Sequence, residues 1–441
     1  MSIAVPSKPR GWLLISLAVL WFLSVACVSG ERPAAAVGVL TTIESEGVGR
    51  IVVQVLAPDR PRYADGAPVV VNVSGFFTGE KTFSHQLDPD ALGIVYVTYL
   101  WPGMADRRTG TASEGDFDYG GPSTLAVLRD VIRFAAGDLT DTTGRRLSEL
   151  IDVPVAFDVV GLYAFSHSGV LATNVLCHHG DALNSVRFFV GRENPTVDAL
   201  YPLEPGYWGD DGQAVENPFY EPTGYTPTSV AMDYSQVVWD ATQGLPRFGH
   251  ADDPQSMLCS TKHPRLWGKD YWSTGLLQAL LDNGSLTRET WPEHLATPEE
   301  AAALWPYRTT VDNYPLLADA RPDLKVMLVF AADDHVQTAI DKPHIHQAYD
   351  GFHHHAGLWC RMNPDRAYIM AFLDSPPGMR IPDNPANREP HSWMSIESWG
   401  YATGRGPNLN VVVPLAAVAE MCDRTYYDVW TPNLNRVLGD S

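Results

Sequence analysis

At 441 residues, of which 45% are hydrophobic and 19% charged, the chain has the composition of a folded protein and not of a disordered one. A formal net charge of −21, from 52 acids against 31 bases, argues against nucleic acid or an anionic membrane as a partner. Length alone allows one elaborated domain or about two to three smaller ones.

Residues 1–26 are set apart from the rest. Lys8 and Arg10 precede the uncharged run Gly11 to Ala26, which has the charge, length and order of a secretory signal peptide. Ser24 and Ala26 are small residues suited to a signal peptidase, so cleavage before Cys27 is expected. Leu23-Ser24-Val25-Ala26-Cys27 also resembles a bacterial lipobox, although that pattern prefers an aliphatic residue where Ser24 stands. The resemblance implies lipid attachment at Cys27, with residues 27–41 as an N-terminal tether. Either way an exported protein is expected: a cell-envelope lipoprotein, periplasmic or secreted. In that setting Cys177, Cys259, Cys360 and Cys422 make two disulfides the expectation, with the pairing open.

From Thr42 the chain reads as short β-branched runs. Ile51 to Leu56 and Val69 to Val73 are expected strands, the second buried on both faces and followed by Ser74-Gly75-Phe76-Phe77-Thr78-Gly79. Ile94 to Leu100 is a third. Pro122 then opens a helix with Leu125, Leu128, Ile132 and Ala135 at helical spacing, and Gly137 stops it. Val155 to Tyr163 is a strand, Leu171 to Cys177 a helix, and Val186 to Val190 a strand again. Between residues 194 and 323 the sequence shows no run of strands but many prolines, glycines and aromatics, among them Trp208, Trp239, Trp267, Trp272, Trp291 and Trp305. Leu324 to Phe330 restores the strand pattern. Residues 342–357 read as a helix, Ala367 to Leu373 as the last strand, and Pro414 as the start of an amphipathic helix presenting Leu415, Val418, Ala419 and Cys422. Strands alternating with helices predict an α/β architecture with a mostly parallel central sheet flanked by helices.

Chemistry concentrates where the Val155 strand meets its helix. Ala164-Phe165-Ser166-His167-Ser168-Gly169 resembles the nucleophile elbow, G-x-S-x-G, of the α/β-hydrolase fold family, with Ala and Ser at the two glycine positions. Ser168 in the nucleophile position would put β-branched Val170 where a glycine belongs, so Ser166 is preferred. The resemblance implies a hydrolase core over residues 42–193 and 324–441, with residues 194–323 as an inserted cap or lid. Its tryptophans would line a site for an apolar, aromatic or sugar-containing substrate, or pack the segment on itself.

The same resemblance implies a Ser-Asp-His order along the chain. It places the acid at Asp334 in Ala331-Ala332-Asp333-Asp334-His335, with Asp333 as runner-up. The base falls at His391 in Pro390-His391-Ser392-Trp393, ahead of His344, His346, His353, His354 and His355 in the preceding helix. It gives the oxyanion-hole N–H groups to His167 and Phe76. Three consecutive histidines do not face one point, so no metal is expected, and no cofactor either. The implied activity is that of an exported serine esterase acting on a small-molecule or polymer ester through an acyl-enzyme. A serine peptidase of the same fold and a catalytically degenerate ligand-binding protein are the alternatives.

Overall fold

A computed structural model of the protein describes residues 38–75, 83–118, 120–196, 206–208, 214–220, 231–249, 257–258, 272–330, 343–372 and 409–431. The β-branched runs form one large sheet. Its strands are β1 (Val39–Ser45), β2 (Gly49–Leu56), β3 (Ala67–Val73), β4 (Val95–Tyr99), β5 (Val155–Phe165), β6 (Val186–Arg192), β7 (Lys325–Val329) and β8 (Trp359–Met362). They lie side by side in the order β1-β2-β4-β3-β5-β6-β7-β8. β2 runs antiparallel to both its neighbours, and every pairing from β4 to β8 is parallel.

Burial follows from that arrangement. β3 and β4 are buried along their whole length, as parallel strands covered on both faces must be, whereas β1 at the edge alternates between buried and open positions. Val69, Val71 and Val73 of β3 join one core with helices α1 (Pro122–Ala135) and α2 (Ser168–His179). Val70 joins the opposite core, with Tyr163, Val190 and Met327. Burying such a valine stabilises the fold by about 1.5–3 kcal/mol relative to leaving it exposed. The first turn of α1 is served from outside the helix. Asp118 accepts from the N–H groups of Ser123 at 2.6 Å and Thr124 at 3.1 Å, and Pro122 needs no partner.

Between β6 and β7 the described residues add no strand to the large sheet. They do form short antiparallel strands where none was expected: Gly206–Trp208 with Ala214–Glu216, and Val237–Asp240 with Leu245–Phe248 and Met257–Leu258. Each is two to four residues long, too short to leave a periodic signal. Helices α3 (Thr274–Asp282), α4 (Pro298–Leu304) and α5 (Tyr314–Ala320) follow. Trp272 and Trp305 are buried there, so these two pack the segment. Asn174 of α2, fully buried, ties the segment down by donating to the carbonyls of Tyr307 at 2.7 Å and Thr309 at 3.1 Å.

Three expectations change beyond β7. Helix α6 (Pro343–Tyr349) is where the sequence put it, but residues 366–371 form helix α7 (Arg366–Ala371), and the strand is β8 instead. A short apolar run such as Ala367 to Leu373 does not distinguish helix from strand. β8 escaped notice because Arg361 reads as a surface residue. In the fold it is buried and paired with Asp365 and Glu420. Helix α8 (Leu409–Tyr427) begins before Pro414, which lies inside it, and covers the second face of the sheet.

The expected disulfides are also corrected. Cys177, Cys360 and Cys422 are free thiols, and Cys259 lies outside the described residues. Cys177 sits in the core under α1 and α2, and Cys422 in the core under α8, so the sheet stands between them.

Candidate active site at the carboxyl edge of the sheet

β5 ends at Phe165 and α2 begins at Ser168, so strand becomes helix through Ser166 and His167. Ser166 holds φ at 61°, in the left-handed region. For a residue with a side chain this costs on the order of 1–3 kcal/mol and persists only where the surroundings enforce it. Here the enforcement is visible. The N–H of Ser166 donates to the Arg192 carbonyl at 2.8 Å, and its own carbonyl accepts from Gly169 N–H at 2.9 Å.

The two serines of the turn have different surroundings. Ser168 is buried, and its hydroxyl accepts from Phe165 N–H at 3.1 Å and donates to the Phe165 carbonyl at 2.9 Å. That hydroxyl is committed to closing the turn. Ser166 is half-exposed, and its Oγ lies 3.3 Å from His167 Nδ1. It stands at the N-terminal end of α2, where the helix dipole favours a developing negative charge.

The crowding that usually demands glycines beside the nucleophile is met in an unusual way. Ala164 fits its position fully buried, and Ser168 folds back on Phe165. The steric demand falls one residue later. A Cβ on Gly169 would sit 2.0 Å from Cγ of Asn194, and one on Gly191 would sit 2.2 Å from Asn194 Oδ1. Asn194, which sequence reasoning assigned to the start of the insertion, fills both spaces. Its Nδ2 faces the carbonyls of Ala164 at 3.2 Å, Ser166 at 2.8 Å and Arg192 at 2.9 Å.

The strain extends beyond Ser166. Glu193, just past β6, has φ of 47°, and Asn363, just past β8, has φ of 58°. Three of the parallel strands thus leave the sheet through left-handed residues that are not glycine, all at one edge. Such residues cluster at functional sites, and α/β sheets bind ligands outside the carboxyl ends of their strands. Glu193 is buried and its N–H donates to the Val329 carbonyl at 2.9 Å, so it stands between the elbow and the end of β7. The Arg192 guanidinium lies 4.4 Å from the Phe165 ring centre. Burial pushes the Tyr163 phenol up, against the opposing pull of Arg192.

Of the expected site residues, Ser166 and His167 are described here. Phe76, Asp333, Asp334, His391 and Cys27 lie outside the described residues. The strands that lead to two of them are well defined. Ser74, after β3, donates to the Tyr99 carbonyl at 3.2 Å and accepts from Trp101 Nε1 at its own carbonyl at 3.0 Å. Phe330, the last described residue before Asp333 and Asp334, is held by Asn363. In the helical histidine group, His353 Nδ1 faces the Leu358 carbonyl and His354 Nδ1 faces Asp350.

A sheet in the order 1-2-4-3-5-6-7-8, with its second strand reversed and a left-handed serine between β5 and the helix after it, decides the architecture. This is an α/β-hydrolase fold. No family model matches the chain, and no curated protein matches it in sequence. Among solved structures it is similar to an esterase from Pyrobaculum calidifontis, at 12% identity over 74% of each chain and a TM-score of 0.34. It is also similar to an arylesterase, at 8% identity over 88% of this chain and 87% of that one, with a TM-score of 0.38. A third similarity is to prolyl oligopeptidase B from Galerina marginata, at 10% identity and a TM-score of 0.39, covering 88% of this chain but 36% of that one. Likeness at these values adds nothing to the strand order and the elbow, on which the α/β-hydrolase fold rests.

Proposed function

We propose that the protein is an exported serine hydrolase that cleaves a carboxylic ester through an acyl-enzyme. The observation that carries the reading is the left-handed Ser166 at the strand-to-helix turn, half-exposed beside a fully committed Ser168. In this reading His391 takes the proton from Ser166, Asp334 holds the imidazole in one tautomer, and the alkoxide attacks the ester carbonyl. The N–H groups of His167 and Phe76 stabilise the tetrahedral oxyanion. The leaving alcohol takes its proton from His391, and water then releases the acyl group. The signal-like N-terminus and Cys27 carry the export and tethering part of the reading. The inserted segment between β6 and β7 serves as the lid.

Covalent labelling by a fluorophosphonate tests the nucleophile, with the modified peptide located by mass spectrometry. A label on Ser166 that disappears in Ser166→Ala supports the reading. Folded wild-type protein without label moves the reading to a ligand-binding relative of the fold. Turnover of short acyl esters without turnover of peptide amides separates the esterase from a peptidase.

A further inference from the structure

Two polar side chains at the carboxyl edge have no part in the proposed chemistry, yet each grips the backbone of a neighbouring strand. Asn194 is buried, and its Nδ2 faces the Ala164, Ser166 and Arg192 carbonyls at 3.2, 2.8 and 2.9 Å. Its Oδ1 has no donor among the described residues. A buried acceptor without a donor is costly, and the Nδ2 contacts are what offset that cost. Asn363 is buried as well. Its Oδ1 accepts from Phe330 N–H at 3.0 Å, its Nδ2 donates to the Phe330 carbonyl at 3.3 Å, and its own N–H donates to the Leu328 carbonyl at 2.7 Å. It brackets the last described residue before Asp333 and Asp334 in the chain.

We propose that Asn194 and Asn363 are positioning residues for the hydrolytic reaction. Asn194 holds Ser166 in its left-handed conformation, and Asn363 fixes Phe330, from which the chain runs on to Asp334. The inference rests on the reading of Ser166 as nucleophile and Asp334 as acid. The side-chain chemistry is specific in both places. Three carbonyls converge on Nδ2, and an aspartate at 194 would set a negative charge against them. Bracketing Phe330 N–H and C=O together takes an acceptor and a donor, and the primary amide of Asn363 supplies both. Geometry at this level governs rate, because a misplacement of about 1 Å can lower turnover about a hundredfold.

The experiment compares Asn194→Ala and Asn363→Ala with the wild type in ester hydrolysis across pH and in the rate of fluorophosphonate labelling, all per titrated active site. For Asn194→Ala we expect kcat to fall about tenfold to a hundredfold with KM little changed, the labelling rate to fall in parallel, and the pH profile to stay in place. For Asn363→Ala we expect a fall in kcat together with a shift of the acid limb of kcat/KM to lower pH. A displaced carboxylate no longer stabilises the charged form of the base. Per-site constants and a pH profile equal to wild type, with only the melting temperature lowered, would make that asparagine a structural residue and overturn its half of the proposal. If an alanine variant does not fold, Asn194→Ser or Asn363→Ser, which puts one hydroxyl in place of the amide, is measured in its place with the same two outcomes. A wild type without label or hydrolysis sinks the functional reading itself. An active wild type with unchanged variants sinks this inference alone.

Discussion

The N–H of Ser166 reaches the carbonyl of Arg192 at 2.8 Å, so the β5–β6 pairing that runs in register from Gly161 to Phe165 passes one hydrogen bond on into the left-handed residue. The proposed nucleophile therefore stands one residue past the end of β5 and is still hydrogen-bonded to the end of β6. Its strain is borne by the two strands and by the amide of Asn194.

Removing the Ser166 side chain separates stability from activity. Ser166→Gly should raise stability by about 1 kcal/mol, since glycine occupies the left-handed region without strain. Hydrolysis should vanish in the same variant. Ser166→Ala, His391→Ala and Asp334→Asn should each lower turnover by orders of magnitude. Thermal melts and an ester assay measure both effects, and near-normal turnover in any of the three removes that residue from the mechanism.

Ser168 gives the opposite pattern. Its hydroxyl serves both backbone groups of Phe165, so Ser168→Ala should lower stability by about 1–2 kcal/mol while fluorophosphonate still modifies Ser166. Finding the wild-type label on Ser168 would exchange the roles of the two serines.

Gly169 and Asn194 should show strong coupling in a double-mutant cycle. Gly169→Ala alone drives a Cβ to 2.0 Å from Asn194 Cγ and should be severely destabilising. Because the Asn194 Cβ would itself sit 2.4 Å away, only an Asn194→Gly background removes the obstacle, and there the same change gains helix propensity in α2. Denaturant melts of the four proteins test this. Additive effects would show that Asn194 yields freely and does not hold the turn.

Asp141 predicts a pH dependence remote from the site. Burial on its own would raise its carboxyl, but hydrogen bonds from the Thr143 hydroxyl, Arg145 N–H and the Thr41 hydroxyl outweigh it and bring it down to about 2. An unfolded aspartate titrates near about 3.9, so the unfolded chain takes up this proton first as pH falls. The stability that Asp141 contributes is complete above about pH 4 and is lost as pH falls through about 2. Asp141→Asn should therefore be less stable than wild type at neutral pH, with the gap closing across that window. A gap independent of pH would count against the role of the charged carboxylate.

The thiols should be silent in the native state. Burial pushes Cys177 up and holds Cys422 up at about 12, so neither supplies thiolate at neutral pH. Maleimide should modify both only after unfolding. Prompt modification of either in the folded protein would mean that its core opens on the labelling timescale.

The regular part of this fold was readable because its signals are local. The β-branched runs of β3, β4 and β5, the proline-opened helix α1 and the serine turn each declare themselves within about a dozen residues. Two features were not readable, for the same reason. Arg361 hides β8 because its partners, Asp365 and Glu420, are supplied by other elements. Asn194 reads as an ordinary turn former before Pro195, and its function depends on Gly169 and Gly191, which only the folded sheet brings against it. At the elbow, the sequence pointed to Ser166, but the residue that shapes the turn around it stands 28 positions away.

Helix α8 bears on the order in which this chain folds. Asp423, on that helix, accepts from Arg62 through both carboxylate oxygens at 2.7 Å and from the hydroxyls of Tyr63 and Tyr368, and the pairing with Arg62 spans 361 residues. Until α8 arrives, Tyr163, Val190, Met327 and Val329 lack their cover. Loop closure over such a separation is slow, so the second core is the last to form. A growing chain would stay open on that side until α8 has been made, and a chain cut short of α8 would be sticky and prone to aggregation.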